Sequence, residues 1–518
     1  MGVLDREAIV APPQFNRWLI PAAALAIHLC IGQVYAFSVF KAPLMDHFGV
    51  REVAVGWIFS LSILMLGLSA AFGGTWVEKA GPRKSMVVAG SCWVAGFFVA
   101  TLGIATGQLW LVYVGYGFIG GIGLGIGYIS PVSTLIKWFP DRPGLATGLA
   151  IMGFGGGALI ASPASNSLMA AYGGGPEPEN LVNGIIPTFI TLAAVYAVVI
   201  AVGAYCIRVP HPDWKPESWD PSQVKAKPLQ TTNNVSANNA IRTPQFWFLW
   251  IVLFTNVTAG IGILENAAPM IQDYFPEITA AAAAGFVGML SLTNMGGRFV
   301  WSSLSDYIGR KNIYILYLGL GLLLYLAVAV VGGGSLLLFL LATLVILSFY
   351  GGGFATVPAY LRDLFGVYQV GAIHGRLLTA WAAAGVAGPL IVNLVVESQA
   401  AAGKTGEDLY SLSLYIMVGV LAMGFIANAL VRPIDAKHHE PEETVAAAQV
   451  GSEDATERAG TAAEPAEAGA GAGGAAPAAA AGANGGLHTV AALALAGVVC
   501  AGLLYGLVQT VIKAAALF

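Results

Sequence analysis

Long apolar segments separated by short polar turns make up most of this chain. Six of them precede residue 208 and six lie between residues 245 and 431, and each is near or above the ~20 residues that a helix needs to cross a membrane. They are expected at residues 18–40, 54–76, 85–105, 109–137, 144–171, 184–207, 245–271, 279–304, 312–332, 335–361, 370–396 and 409–431. The pattern predicts an all-α membrane protein with two groups of six spanning helices.

Longer polar stretches divide the chain further. One stretch, rich in Pro, Asn, Ser and Lys, separates the two groups of spans, and an acidic and then Ala/Gly/Pro-rich stretch after the twelfth span is typical of a flexible linker. A last apolar run is long enough to span once more. The expected parts are an N-terminal six-helix bundle (1–207), a central cytoplasmic loop (208–243), a C-terminal six-helix bundle (244–432), the linker (433–486) and a thirteenth transmembrane helix (487–518).

Composition supports membrane embedding and argues against several other classes. The chain is 57% hydrophobic and 10% charged, whereas soluble domains carry about a quarter charged residues. The net charge of −4 belongs to loops and tail and indicates no nucleic-acid partner. The four cysteines lie singly, and no nucleophile, metal or phosphate constellation is evident, so neither an enzyme nor a metal or cofactor site is expected. The glycine run 115–127 is interpreted as a helix-packing surface.

The distribution of cations predicts the orientation. With a cytoplasmic amino terminus, 19 of the 24 Lys and Arg residues face the cytoplasm, four face outward and Arg298 lies within the membrane. An excess of positive charge on the cytoplasmic side is usual for multi-pass proteins. We therefore expect a multi-pass protein of the cytoplasmic (inner) membrane.

Each half carries a similar tight turn after its second span. The members are Gly74, Glu78, Gly81 and Arg83 in the first half and Asp306, Gly309 and Arg310 in the second, at an offset of 228 positions. In both, an acid is followed by a turn glycine and cations. The acid can bond backbone donors and cations at neighbouring helix ends and so latch the cytoplasmic side. Repeated halves of the same direction imply a pseudo-twofold axis along the membrane normal.

Arg298 is the one cation that the pattern places deep inside a span. It lies eight helical residues from Asp306, roughly 12 Å along the helix and so near the middle of a ~30 Å hydrocarbon core. The repeat aligns it with Ala70, so the scaffold itself does not require a cation at this depth. We interpret Arg298 as a carboxylate-binding residue, because its planar fork matches a carboxylate. Snorkelling towards the cytoplasm or a structural ion pair are the alternatives.

Four stretches together carry a resemblance to a known family. They are residues 32–40 (GQVYAFSVF), 138–148 (WFPDRPGLATG), 242–247 (RTPQFW) and the segment from Gly297 to Arg310. The chain resembles the oxalate:formate antiporter family of the major facilitator superfamily, close to the monocarboxylate transporters, over residues 15–433. The resemblance implies the major facilitator fold and transport of small organic anions, with Arg298 holding a carboxylate.

One position departs from that family. Members that carry oxalate have a Lys in the eleventh helix, and our alignment puts Trp381 there. With one buried cation instead of two, a dianion is poorly neutralised. The departure favours a monocarboxylate of the formate, acetate, lactate or pyruvate class.

Aromatic residues from several spans match family positions and could line a cavity around Arg298. They are Tyr35, Tyr128, Phe154, Tyr350, Phe354 and Trp381. Such a box would admit small anions and offer hydroxyl donors, although ordinary helix packing explains any single one as well.

Two titratable residues are candidates for proton coupling. His28 lies within the first span and could change charge near physiological pH, or it could be an uncharged, hydrogen-bonded helix histidine. Glu265, in the outer half of the seventh span, could be a gate, a proton carrier or an interfacial acid that reaches water. Protons or a counter-anion are thus the expected partners besides the carboxylate and the bilayer.

The sequence as a whole predicts a secondary transporter that works as a monomer by alternating access. An oxalate:formate-type exchanger, a proton-coupled exporter of hydrophobic compounds and a non-transporting anion receptor are the alternatives. The stretch 504–518 resembles the single-span small subunit that accompanies some transporters of the family, or is simply an added anchor.

Overall fold

The computed structural model describes residues 2, 4, 7–12, 14–175, 178–211, 214–216, 229–231, 233–278, 280–441, 443 and 478–515. Thirteen long helices account for most of these residues. They are α1 (Leu19–Ile31), α2 (Glu52–Ala80), α3 (Pro82–Ala105), α4 (Gly120–Trp138), α5 (Pro143–Gly173), α6 (Pro178–Cys206), α7 (Pro244–Tyr274), α8 (Ala280–Ile308), α9 (Arg310–Val331), α10 (Leu336–Phe365), α11 (Thr379–Ala401), α12 (Asp408–Leu430) and α13 (Ala478–Ala514). The predicted all-α architecture is confirmed.

Parts of the predicted loop and linker fall outside this description. Residues 212, 213, 217–228 and 232 of the predicted central loop do so, as do residues 442 and 444–477 of the predicted linker. α13 begins at Ala478, ahead of the expected start at residue 487. The reason is compositional, because the end of the predicted linker is rich in alanine, the strongest helix former.

Three spans are interrupted, which the apolar pattern did not predict. The interruptions are a 3-10 turn (Gly32–Ala36) between α1 and the helix Ser38–Phe48, a π-helical stretch (Tyr113–Ile119) before α4, and Leu378, which separates the short helix Val370–Leu377 from α11. At Gly32, a Cβ atom would lie 2.4 Å from the carbonyl oxygen of Phe154 on α5. The first break is therefore a place where two backbones touch, which glycine permits.

Local sequence explains where several helices begin. Pro82, Pro143 and Pro244 occupy the first positions of α3, α5 and α7, where a missing N–H costs no helical hydrogen bond. Gly81 and Gly309 adopt φ angles of 81° and 90°, the region that favours glycine, and so make the tight turns before α3 and α9.

The helices form two bundles, α1–α6 and α7–α12. Between the bundles, α5 packs against α8 and α10, and α2 packs against α11 and the helix Val370–Leu377. α13 packs on the outside of this body against α1, α5, α6 and α8.

Twelve helices within the described ranges are long and apolar enough to cross a membrane, namely α13 and all of α1–α12 except α8. α8 has 29 residues, enough to span by length. Its apolar sequence is interrupted by polar side chains, among them Asn294 and Arg298. The helix that carries the candidate site is thus the least apolar of the spans.

Candidate functional site

Arg298 is fully buried at the contact between α8 and α5. Its Nε atom donates to Asn294 Oδ1 at 3.1 Å, one turn back, and Nη1 donates to the carbonyl oxygen of Ile151 at 3.2 Å. No carboxylate pairs with it in the part of the chain that the structure describes. The hydrogen-bond partners of Arg298 are therefore neutral, and neither alternative explanation, snorkelling or an ion pair, describes these contacts.

The six predicted aromatic residues lie together beside Arg298. The guanidinium carbon stands 5.2 Å from the centre of the Phe354 ring, and that ring lies 4.5 Å from Trp381. Trp381 in turn lies 5.3 Å from Tyr128 and 5.4 Å from Phe154. The remaining two complete the group, since Tyr35 contacts Phe154 at 5.2 Å, Tyr350 contacts Phe354 at 5.2 Å, and the hydroxyls of Tyr35 and Tyr350 are 3.3 Å apart.

This aromatic cluster draws its members from both bundles. Tyr35, Tyr128 and Phe154 come from the first bundle, and the other three come from the second. Two members lie next to breaks in their spans, Tyr35 in the 3-10 turn and Trp381 just after Leu378. Irregular backbone at membrane depth is tolerated where it is buried in protein or lines a cavity.

Several buried polar side-chain atoms in and around the cluster have no hydrogen-bond partner among the described residues. They are Arg298 Nη2, Tyr128 Oη, Trp381 Nε1 and His374 Nε2. An unsatisfied buried polar group costs about 1–3 kcal/mol, and more when it is charged. Three of these atoms, Arg298 Nη2, Tyr128 Oη and Trp381 Nε1, are donors suited to a ligand that accepts hydrogen bonds, and an anion fits the charge.

Glycines allow Arg298 to approach α5 closely. A Cβ atom at residue 155 would lie 2.8 Å from Arg298 Nε, and one at residue 148 would lie 2.9 Å from the Arg298 carbonyl oxygen. Gly155 therefore makes room for the guanidinium group, and Gly148 makes room for the backbone of Arg298.

Tyr350 of the aromatic cluster lines one of two small cavities. Two cavities of about 10 Å³ each, room for roughly one water molecule, lie inside the second bundle. Both are lined by Ala259 and Tyr325, and neither is lined by Arg298. An anion would need the cluster to expand or the bundles to move apart.

Two histidines contact Tyr128. His28 stacks on the Tyr128 ring at 5.3 Å, and its ring nitrogens lie 2.5 Å from the carbonyl oxygen of Ala150 and 3.1 Å from that of Tyr128. His374, on the short helix before α11, is buried and lies 5.9 Å from Tyr128. Glu265 is exposed and does not join the group.

The sequence reasoning missed His374, Asn294 and the Ile151 carbonyl. His374 lies near the start of a predicted span, two residues before Arg376, which the cation pattern predicts at the membrane surface, and it comes close to the cluster ahead of the break at Leu378. A histidine seven residues before Trp381 in an apolar segment was the available signal.

The turn of the second bundle ties that bundle to the first. Both carboxylate oxygens of Asp306 accept hydrogen bonds of 2.9 Å from the backbone N–H groups of Gly144 and Leu145, at the start of α5. Arg310 pairs with Asp306 at 2.5 Å and with Asp363 at 3.2 Å. A carboxylate at a helix N-terminus is favourable because the helix dipole and its free N–H groups attract negative charge.

The acid in the turn of the first bundle binds within its own bundle and also lies against the second bundle. The Glu78 carboxylate accepts from Ser133 Oγ at 2.6 Å and pairs with Lys137 at 2.8 Å. It also lies against Gly371, where a Cβ atom would be 2.3 Å from its oxygen, at the start of the short helix Val370–Leu377. Gly74 faces the same helix, because a Cβ atom there would lie 2.9 Å from Ala372 Cα.

Arg83, a cation of the first turn, differs from Arg310 of the second turn in what it binds. Its guanidinium group donates to the carbonyl oxygens of Ala204 at 3.2 Å and Tyr205 at 2.9 Å, at the end of α6. Cations favour a helix C-terminus, where carbonyls lack helical partners. Arg83 therefore stabilises its own bundle.

Comparison with known proteins decides the family. Residues 23–389, well over half of the chain, match the family described as Major Facilitator Superfamily. The chain belongs to the Major Facilitator Superfamily. It is a membrane transporter and not an enzyme, and the predicted resemblance to that superfamily is confirmed.

Individual relatives agree with this assignment. The oxalate:formate antiporter of Oxalobacter formigenes is 28% identical over 380 residues, which cover 72% of this chain and 83% of that protein. Apicoplast pyruvate carrier 1 of Toxoplasma gondii is 24% identical over 448 residues, which cover 78% of this chain and 79% of that protein. The crystal structure of the transporter FucP in the outward conformation aligns with a TM-score of 0.59 at 16% identity, covering 80% of this chain and 99% of that one, and so shows a shared fold.

Proposed function

We propose that this transporter carries small monocarboxylates, of the formate, acetate, lactate or pyruvate class, and holds the carboxylate at Arg298. The observation that supports this most is the fully buried guanidinium group with an unpartnered Nη2 donor and no acid beside it in the described chain. A carboxylate would supply the missing counter-charge and accept from the free donor. The oxalate:formate antiporter and the pyruvate carrier among the relatives act on anions of this size.

An anion with a single negative charge is the best match for this site. Among the described residues, Arg298 is the one Lys or Arg seen over a ring of the aromatic cluster, and Trp381 occupies the position aligned with a second cation. A second carboxylate of a dianion would lose its hydration without gaining a partner. An oxalate:formate-type exchanger remains the second candidate, because the relative from Oxalobacter formigenes has that activity.

Alternating access follows from the position of the site between the bundles. Both bundles supply aromatic members, and the acids Asp306 and Glu78 link the bundles at the end where the turns lie. Releasing these links would open the turn end, and re-forming them would close it. We place the turn end in the cytoplasm, with the amino terminus on the same side of a cytoplasmic membrane, because most cations lie there. One chain supplies the whole site, so a monomer suffices.

We propose that His28 couples transport to protons. A neutral imidazole has one N–H and one lone pair, yet both ring nitrogens of His28 face carbonyl oxygens. Only the protonated ring can donate to both. A carboxylate at Arg298 would reduce the positive charge nearby and so favour that proton. Glu265 is exposed, which fits an interfacial acid better than a proton carrier.

Uptake into proteoliposomes tests the proposal. Labelled formate, acetate, lactate, pyruvate and oxalate should be compared with and without anion on the opposite side. Arg298→Lys should lower monocarboxylate uptake by about 10- to 100-fold, the loss expected from one charged hydrogen bond of ~1.5–3 kcal/mol. Arg51→Lys, at an exposed position, is the matched control. Near-normal uptake by a well-folded Arg298→Lys protein would contradict the assignment.

A further inference from the structure

The helix α13 lies in a groove on the outside of the twelve-helix body. It starts on the first bundle, where His488 Nε2 donates a hydrogen bond of 2.8 Å to the carbonyl oxygen of Cys206 at the end of α6. Ala492, Leu495 and Val499 are buried in a cluster with residues of α1 and α6. The first half of α13 is therefore anchored by one polar bond and by close apolar packing.

The second half of α13 crosses α5 and ends on α8. A Cβ atom at Gly506 would lie 2.6 Å from the carbonyl oxygen of Leu159 on α5. A Cβ atom at Gly285 of α8 would lie 2.5 Å from the carbonyl oxygen of Lys513. At these two places the helix backbones touch, as small residues allow in membranes. One of these glycines, Gly506, belongs to α13, and the other, Gly285, belongs to α8.

α5 and α8 belong to different bundles, so α13 covers a seam between them. At the turn end of this seam, Asp306 of α8 binds the start of α5. Midway, Arg298 binds the carbonyl oxygen of Ile151. α13 adds a third connection nearer the opposite end, where α5 ends and α8 begins.

We propose that α13 is a docked clamp that holds the seam closed at the end opposite the turns. The proposal rests on the proposed alternating access. Opening the opposite end moves α5 away from α8 there, and α13 can keep its backbone contacts with only one of them. Opening the turn end leaves both contacts in place. α13 thus favours the conformations in which the two bundles are closed at the end opposite the turns. The groove accommodates a single spanning helix because a glycine, Gly506, lies where α13 crosses α5.

Spin-label distances across the seam test this inference. The full-length protein, with Cys30, Cys92, Cys206 and Cys500 replaced by serine, is labelled at one of two pairs of exposed positions. The pairs are Tyr172→Cys with Glu277→Cys opposite the turns and Arg142→Cys with Tyr307→Cys at the turn end. The label distances are measured in lipid nanodiscs without anion.

The variant Gly506→Leu should break the crossing, and its matched control is Gly497→Leu. A Cβ atom at Gly497 meets no atom within 4 Å, although it lies on the same helix. Gly506→Leu should raise the population with long distances opposite the turns by roughly 5- to 30-fold, the effect of one or two lost packing contacts on a two-state equilibrium. Gly497→Leu should leave both distance distributions as in the parent.

The second variant, Gly285→Leu, disturbs the same clamp from the α8 side and should give the same shift. Folding of each variant is verified by gel filtration and thermal melting. Unchanged distances in folded Gly506→Leu and Gly285→Leu proteins, or a shift at the turn end instead, would overturn the inference. The spin-label distances are measured without anion, so their outcome does not depend on which substrate the protein carries. The substrate assignment is tested separately by the Arg298→Lys transport assay.

Discussion

At the scale of single residues, the hydrogen-bond partners of Arg298 are all neutral. Its described contacts are an amide oxygen, a backbone carbonyl and an aromatic face. A buried charge without a counter-ion is costly, and removing that cost is a source of affinity for any anion that fits. The same argument makes the site sensitive to the number of charges on its ligand, because one guanidinium neutralises one carboxylate.

Adding a cation at Trp381 should therefore change the preference of the carrier. Trp381→Lys is expected to strengthen competition by oxalate about tenfold or more relative to acetate, since charges ~8 Å apart at an effective dielectric of about 20 interact by roughly 2 kcal/mol. Competition assays in proteoliposomes measure this. Trp381→Phe is the control, because it changes the ring without adding charge. An unchanged oxalate-to-acetate ratio in folded Trp381→Lys protein would show that residue 381 does not face the anion.

His28 should determine how uptake depends on pH. Protonation lets the ring donate to both carbonyl oxygens, so anion uptake is expected to rise as the external pH falls. Glutamine cannot bind a proton in this range, and His28→Gln should flatten the pH profile between about pH 5 and 8. His47→Gln is the control, because the His47 ring also contacts a backbone carbonyl, that of Ile104, but lies outside the aromatic cluster. The same pH profile in His28→Gln and the parent would exclude His28 as the coupling residue.

At the scale of helices, the start of α5 depends on a carboxylate from another helix. Asp306→Asn keeps the shape of the side chain but removes the negative charge that the helix dipole attracts. The side-chain NH2 group then faces one of the two backbone N–H donors at the start of α5. We expect a loss of stability of about 1.5–3 kcal/mol and a carrier that opens more readily at the turn end. Thermal melting and labelling of Arg142→Cys measure these effects. The exposed Asp435 provides the control Asp435→Asn, which should change neither.

The existence and order of the helices could be predicted, because each apolar segment is long enough to span. The breaks could not. Gly32 and Leu378 look like ordinary members of apolar runs, and what interrupts the helix at Gly32 is the backbone of Phe154, more than a hundred positions away. The position of α13 was likewise beyond prediction, because the sequence that precedes it does not specify a docking site.

The charged residue of the site could be predicted from the sequence. The residues that reach the site only through tertiary contacts were harder to predict. Arg298 stood out because a cation deep in an apolar span is costly and so indicates function. The aromatic residues were found through the family resemblance, and the structure places all six in one cluster. His374 was missed because its position next to Arg376 indicated the membrane surface.

At the scale of the whole molecule, α13 contributes no residue to the aromatic cluster. A chain that ends after Arg432 should therefore keep its anion preference, whereas its melting temperature or its turnover should fall because the clamp is lost. A separate peptide of residues 478–518 should partly restore both. Ratios of formate, acetate and lactate uptake, together with melting curves, provide the measurement. An altered ratio would show that α13 reaches the anion, and identical melting and turnover would show that it stabilises nothing.

The groove under α13 also has a consequence for biogenesis. α13 follows α1–α12 in the sequence, so the ribosome makes it after them. Until it arrives, the seam with its exposed backbone at Gly285 and at Leu159 faces lipid acyl chains. A stray helix from another nascent protein could occupy the same groove during that interval. Carrying the matching helix on the same polypeptide supplies one copy for every carrier and raises its local concentration to roughly millimolar, which shortens the interval.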